Sequence, residues 1–244
     1  MKRDFYIEKG EAVEILISVL AISFAFTIVF AGLGTLFSLP KQFLVFMVLS
    51  LVTLGAGFIL HEMGHKLVAI YYGAYARFQM WIQGLVFMLI TSLLGVLFAA
   101  PGAVYIYSNN ITKRQNGLIS LAGPIVNLLV MLVFLGLSIV IPIHIYFSFD
   151  LSFLAPLFNN GAFEVWRFGA YLNFILYMFN MIPAFPLDGS KVFAWSVPVW
   201  FGCVFAMFVF GVAINLVTIL FAVSWLFMLV LLMILSMVLF RQRR

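Results

Sequence analysis

The chain is 244 residues long, 66% of them apolar and only 9% charged, with a formal net charge of +5. Soluble domains carry about 25% charged and about 45–50% apolar residues, so this composition excludes one and implies a polytopic membrane protein. No basic face interleaved with aromatic residues accompanies the positive charge, which excludes a nucleic-acid partner and assigns the charge to loops flanking a membrane.

A spanning helix needs about 20 mostly apolar residues. Met1 to Glu14 mixes charges and lacks a small-residue cleavage site, so it reads as a retained cytoplasmic tail rather than a signal peptide. The first expected helix covers about 15–37 and ends at Ser38-Leu39-Pro40-Lys41. The second covers about 42–73, and an apolar stretch from 85 to 107 follows, interrupted by Pro101-Gly102. A third helix covers about 118–141. The polar-flecked connection after it runs from Pro142 to Gly161 and contains His144, Asp150, Pro156 and Asn159-Asn160. A fourth helix, 163–182, runs into a proline-broken stretch from Pro183 to Gly189. From Val197 to Phe240 the chain is apolar for 44 residues, too long for one crossing at about 1.5 Å per residue. Two helices are therefore expected, about 197–216 and 218–240, with a turn near Asn215 to Thr218. The lone Cys203 reads as an apolar filler, and no repeat divides the chain.

Charge placement sets the expected topology. If 85–107 dips into the bilayer and returns, only Lys41 and Arg167 of the 13 basic residues lie on one side. The rest, among them Lys66, Arg77, Lys113, Lys191 and the terminal Arg241, Arg243 and Arg244, share the other. The positive-inside rule makes that side cytoplasmic. About six crossings with both termini in the cytoplasm are expected, the terminal arginines anchoring to anionic headgroups.

Inside this apolar frame stands His61-Glu62-Met63-Gly64-His65. Helix positions i and i+4 share a face, so the two imidazoles can bind one metal ion while Glu62 acts on a metal-bound water without being a ligand. Ionisable groups at membrane depth are costly and read as functional. A catalytic zinc usually takes three protein ligands. His144, Asp150 and Glu164 fall on the outer face, where the first two read as solvated loop residues. Asp4, Glu8, Glu11 and Glu14 fall in the tail or at the start of the first helix. Asp188 follows a helix parallel to the one carrying His61, on non-helical backbone of the kind that lines wet cavities at membrane depth. Elimination and geometry both select Asp188.

Three stretches carry a resemblance. They are His61-Glu62-Met63-Gly64-His65, Leu121-Ala122-Gly123-Pro124-Ile125-Val126-Asn127, and Asn180 through Pro183 and Pro186 to Leu187-Asp188-Gly189. In this order, over roughly 54–189, the chain resembles the site-2 protease family of intramembrane zinc metalloproteases. The resemblance implies an all-α membrane fold with a three-helix catalytic core (about 42–73, 118–141 and 163–189) and the other three helices peripheral. It also implies a small membrane-associated β element between the first two core helices. One Zn2+ would be held by His61, His65 and Asp188, with Glu62 as general base. The partners implied are a transmembrane segment of a protein substrate and the lipid bilayer, with cleavage near the cytoplasmic side. The whole of 1–244 is expected to form one transmembrane protease domain, without the PDZ or cystathionine-synthase-type modules of longer members.

Asn180 can donate to the substrate carbonyl or the developing oxyanion, or bond another helix. Asn127 is a second candidate for holding substrate, with core packing as the alternative. Gly123-Pro124 permits close helix packing or a kink. An intact helix hides its carbonyls, so a substrate must unwind before attack. The stretch 98–107, with Ala103, Val104 and Tyr105, can offer a strand edge to the unwound segment. Two rivals are weaker. A glutamate-ligated zinc protease needs a later glutamate on the inner side, and Glu164 is outside. An ion transporter needs polar residues through several helices, and the last two crossings have almost none.

Overall fold

The computed structural model describes residues 5–98, 101–108, 110–149, 158–159 and 162–241, with side chains described to 231 except at 158, 159 and 230. Lys2, Arg3 and Asp4, Ala99 and Ala100, Asp150 to Pro156, Asn160 and Gly161, Gln242 to Arg244 and the Arg241 side chain lie outside the described residues.

Helix α1 (Lys9–Ala31) starts within the expected tail rather than near Ile15, because Glu11 and Glu14 are structural anchors and not solvated charges. Gly32 ends it at φ 80, a conformation that favours glycine, and α2 (Leu33–Ser38) follows. Pro40 opens α3 (Pro40–Ser50), where a missing N–H is harmless. A π turn, Leu51–Gly55, carries the chain into α4 (Ala56–Tyr71). Together they form one apolar helix of 32 residues, Pro40–Tyr71.

The next segment is not a plain apolar run. Strand β1 (Tyr75–Met80), helix α5 (Ile82–Leu93) and strand β2 (Gly102–Tyr107) succeed one another. The strands pair antiparallel, from Tyr75 opposite Tyr107 to Met80 opposite Gly102. The 12 residues of α5 span about 18 Å, against about 30 Å of hydrocarbon. The pairing of the flanking strands brings the two ends of this segment side by side.

Helix α1 seals the outer edge of β1. Glu11 Oε1 accepts from the Phe78 N–H at 3.0 Å and Glu14 Oε2 from the Met80 N–H at 2.9 Å. Each carboxylate also holds a cation: Lys66 Nζ lies 2.6 Å from Glu11, and Arg77 Nη2 lies 2.9 Å from Glu14. Glu11 is 0% and Lys66 2% exposed, so neither charge has water to fall back on. Breaking a buried pair leaves one charge uncompensated at about 3–5 kcal/mol. Lys66→Met is therefore expected to lower stability by that amount, read as a fall in the denaturation midpoint in detergent, whereas an exposed control such as Lys113→Met should change it little.

Helix α6 (Lys113–Val140) begins with reciprocal capping: Thr112 Oγ1 accepts from the Gln115 N–H at 3.2 Å, and Gln115 Oε1 from the Thr112 N–H at 2.9 Å. It lies between α4 and α7 (Val165–Asn180), and Gly64 lets α4 approach Val126 and the Ala122 carbonyl. A small sheet of β3 (His144–Ile145), β4 (Phe158–Asn159) and β5 (Ala162–Glu164) precedes α7, with β5 central. Beneath it Phe46, Phe163 and Phe168 pack as an aromatic plug, ring centroids 4.8 Å apart for the last two. Glu164 caps α7, accepting from the N–H groups of Trp166 and Arg167. After a turn over 181–187 come α8 (Asp188–Trp195), α9 (Val197–Ala213) and α10 (Ile219–Arg241). Asp188 is thus the first residue of a short helix, not part of an irregular stretch; the prolines disrupt only the turn before it. The turn between α9 and α10 falls at 214–218.

Among the described residues, Lys9–Ala31, Pro40–Tyr71 and Lys113–Val140 are long and apolar enough to cross a bilayer. The chain is a mostly helical membrane protein.

Candidate metal centre

His61 and His65 occupy successive turns of α4, facing α6, and are 4% and 7% exposed. Each ring is oriented from behind. His65 Nδ1 lies 2.8 Å from the Ile119 carbonyl, which only accepts, so Nδ1 carries the proton. His61 Nδ1 lies 2.6 Å from Asn127 Oδ1. The Asn127 amide donates to the Gly57 carbonyl at 3.2 Å and to Asn173 Oδ1 at 3.0 Å, which fixes its oxygen toward the histidine. Both Nε2 lone pairs therefore point inward, 3.0 Å apart.

Asp188 completes the group. Its Oδ2 lies 3.2 Å from His61 Nε2 and 3.0 Å from His65 Nε2. Three lone-pair donors converge on one point, an arrangement that repels itself unless a cation occupies the centre. A zinc ion with bonds of about 2.0–2.1 Å in tetrahedral geometry separates its ligands by about 3.3 Å. The triangle fits zinc with small adjustments, and two imidazoles with a carboxylate are a donor set that zinc accepts. Among the described residues no other three His, Cys, Asp or Glu groups come together in this way. His144 instead stands opposite Glu164 in the small three-stranded sheet.

The surroundings are shaped to the triangle. A Cβ on Gly123 would sit 2.5 Å from His65 Nε2 and 2.6 Å from His61 Nε2, so only glycine leaves the ligand atoms room. The Gly-Pro pair thus does more than allow helix packing: its glycine borders the metal position.

Glu62, 7% exposed, places Oε2 at 2.8 Å from the backbone N–H of Val104 in β2. It opens with His61, His65 and Asp188 onto one cavity of about 350 Å³, which Ala103, Val104, Tyr105 and Asn180 also line. Asn180 Nδ2 donates to the Leu176 carbonyl of its own helix at 3.0 Å. Lys191, at 3.7 Å from Asp188 Oδ1, stands at the cavity rim.

Asn127 departs from the substrate-holding role suggested for it. It is 0% exposed, does not border the cavity, and spends its polar atoms on His61, Gly57 and Asn173. Its position behind the ring, one helix away from the opening, makes it a positioning residue. Partners of this kind typically account for 10–100-fold in metal affinity. Asn127→Leu is expected to weaken zinc binding by about that factor, measured by competition with a chromophoric chelator.

Sequence reasoning missed Asn173, which is 0% exposed and ties Asn127 to the Gly169 and Thr53 carbonyls. An asparagine in an otherwise apolar helix was the available signal.

An imidazole pair on one helix, closed by a distant carboxylate among apolar helices, is a group that could hold a metal ion. Residues 49–204 match peptidase family M50, and the chain belongs to that family, the site-2 proteases. It is 36% identical over 199 residues to a protein of Methanocaldococcus jannaschii provisionally named a zinc metalloprotease, covering 80% of this chain and 90% of that one. A Bacillus subtilis protein with the same provisional description is 28% identical over 158 residues, covering 60% of this chain and 68% of the other. No solved structure matches. The family and these relatives make the chain a metallopeptidase of the zinc-dependent class.

Proposed function

We propose that this chain is an intramembrane protease that hydrolyses peptide bonds in or near the transmembrane helices of other membrane proteins. The observation that carries this reading is the shared cavity: three potential metal ligands, the Glu62 carboxylate and a strand edge border one space among apolar helices. His61, His65 and Asp188 would hold the ion. Bound zinc supplies a Lewis acid for the scissile carbonyl and brings the pKa of water toward about 7. Glu62 takes the proton of the attacking water and returns it to the leaving amine. An unwound stretch of substrate lies along β2 as an added strand, aligned by Val104 and its neighbours Ala103 and Tyr105. Asn180, released from Leu176, donates its amide to the substrate carbonyl.

In this reading the whole chain is a single protease domain with about six crossings and both termini in the cytoplasm. The β1–α5–β2 segment is re-entrant, and the site opens toward the cytoplasmic half. The short α5 and the clustering of basic residues on one side support that arrangement. The test is incubation of the purified protein in detergent with a generic single-span membrane protein. Cleavage within the span that stops with a zinc chelator and returns on adding zinc is the expected result. Cleavage that persists at zinc-free stoichiometry sinks the proposal.

A further inference from the structure

The two-stranded sheet has two outer edges, and both have N–H groups occupied by glutamates. In an antiparallel pair, directly opposed residues alternate between those that bond each other and those whose N–H and C=O point outward. Phe78 stands opposite Val104, and its N–H points outward to Glu11. Val104 is therefore also an outward-pointing position, and its N–H goes to Glu62. By the same alternation Gly102 and Ile106 present their polar groups to the cavity side.

The two edges differ in how firmly they are held. On β1 each carboxylate is locked by a cation, Glu11 by Lys66 and Glu14 by Arg77. On β2, Glu62 has no cation within ion-pair distance among the described residues and borders open space. The β1 edge is sealed, and the β2 edge is only occupied.

Resting on the reading of Glu62 as general base and β2 as substrate rail, we propose that the Val104 N–H is a latch for Glu62 that the substrate itself opens. A guest strand on β2 must place a carbonyl at the Val104 N–H, the position now filled by Glu62 Oε2. Docking therefore displaces the carboxylate, which turns into the cavity toward the ligand triangle. One hydrogen bond is exchanged for another, from carboxylate to substrate carbonyl. The base is released only when an extended segment lies in the groove, so a helical segment that merely touches the opening leaves it stored. The device makes extended backbone, rather than a particular side chain, the requirement for activation.

The test follows the amide protons of Val104 and Ile106 by hydrogen exchange in the full-length, zinc-loaded protein. The probe is a synthetic transmembrane peptide of about 20 residues with a central Asn-Pro-Gly break. Without peptide, Val104 should exchange slowly in wild type and in Glu62→Gln, whose carbonyl oxygen still accepts, and at least about tenfold faster in Glu62→Ala. The peptide should restore protection at Val104 in Glu62→Ala, protect Ile106 in both variants, and shift the side-chain amide resonance of Gln in Glu62→Gln as it leaves the strand. It should also bind Glu62→Ala roughly three- to tenfold more tightly than Glu62→Gln, since no competitor occupies the edge. Protection of Ile106 with the resonance in Glu62→Gln unmoved would overturn the latch and leave strand docking standing. If the peptide is cleaved by wild type yet protects neither amide in the variants, the strand-docking reading fails and the latch with it.

Discussion

Replacing Glu62 with glutamine is expected to suppress cleavage while leaving the metal in place. The substitution keeps side-chain volume, keeps an oxygen able to accept from the Val104 N–H now 2.8 Å away, and alters no atom of the ligand triangle. What disappears is the group that takes a proton from water and gives it to the departing amine. Positioned acid–base groups contribute about 10²–10⁴-fold to such steps, so turnover of a transmembrane substrate should fall by at least about 10²-fold with zinc stoichiometry unchanged. Measuring both on the same preparation separates loss of the base from loss of the site. Cleavage within a few fold of wild type would falsify the role given to Glu62.

Asp188→Ala is expected to have the opposite signature, loss of the metal itself. Removing Oδ2 leaves two imidazoles facing each other at 3.0 Å with no anionic ligand to offset the charge of a divalent ion. Loss of a residue behind a ligand already costs about 10–100-fold in affinity, so loss of a ligand should exceed about 100-fold. The surrounding fold should persist, because α8 is seated by Gly189 packed tightly on the Met181 and Ile182 carbonyls and by the buried Val192. The check is zinc content after dialysis alongside helical circular dichroism. Full zinc occupancy in this variant would remove Asp188 from the ligand set.

The metal triangle was legible in the sequence because charged groups in an apolar run have so few explanations. His61, Glu62 and His65 declare themselves by spacing, and Asp188 by the expected sidedness of the carboxylates that follow them. The core helices could be read for the same reason, as apolar length has one main use in so hydrophobic a chain. The strand Tyr75–Met80 could not. Its six residues, Tyr-Ala-Arg-Phe-Gln-Met, alternate too weakly to stand out, and their partner is more than twenty residues away across a helix. Its anchors were hidden as well. Glu11, Glu14 and Lys66 look like flanking charges until the fold brings α1 against β1. Asn127 was visible as a motif residue, but only tertiary structure reveals that its oxygen faces His61 instead of the cavity. The helical start at Asp188 was obscured by the prolines just ahead of it, whose effect ends one residue before the ligand.

The wide turn at Leu51–Gly55 sets the compass bearing of everything after it in that helix. One surplus residue in a helical turn rotates the following chain by about 100° relative to an unbroken spiral. The opening of that turn gives the Asn173 amide a carbonyl to reach, that of Thr53 at 3.4 Å. Closing that turn into a regular α-helix without removing a residue would swing both imidazoles away from α6 by more than a quarter of a revolution, dismantling the cation cage from six to ten residues upstream of His61 without touching any of its members.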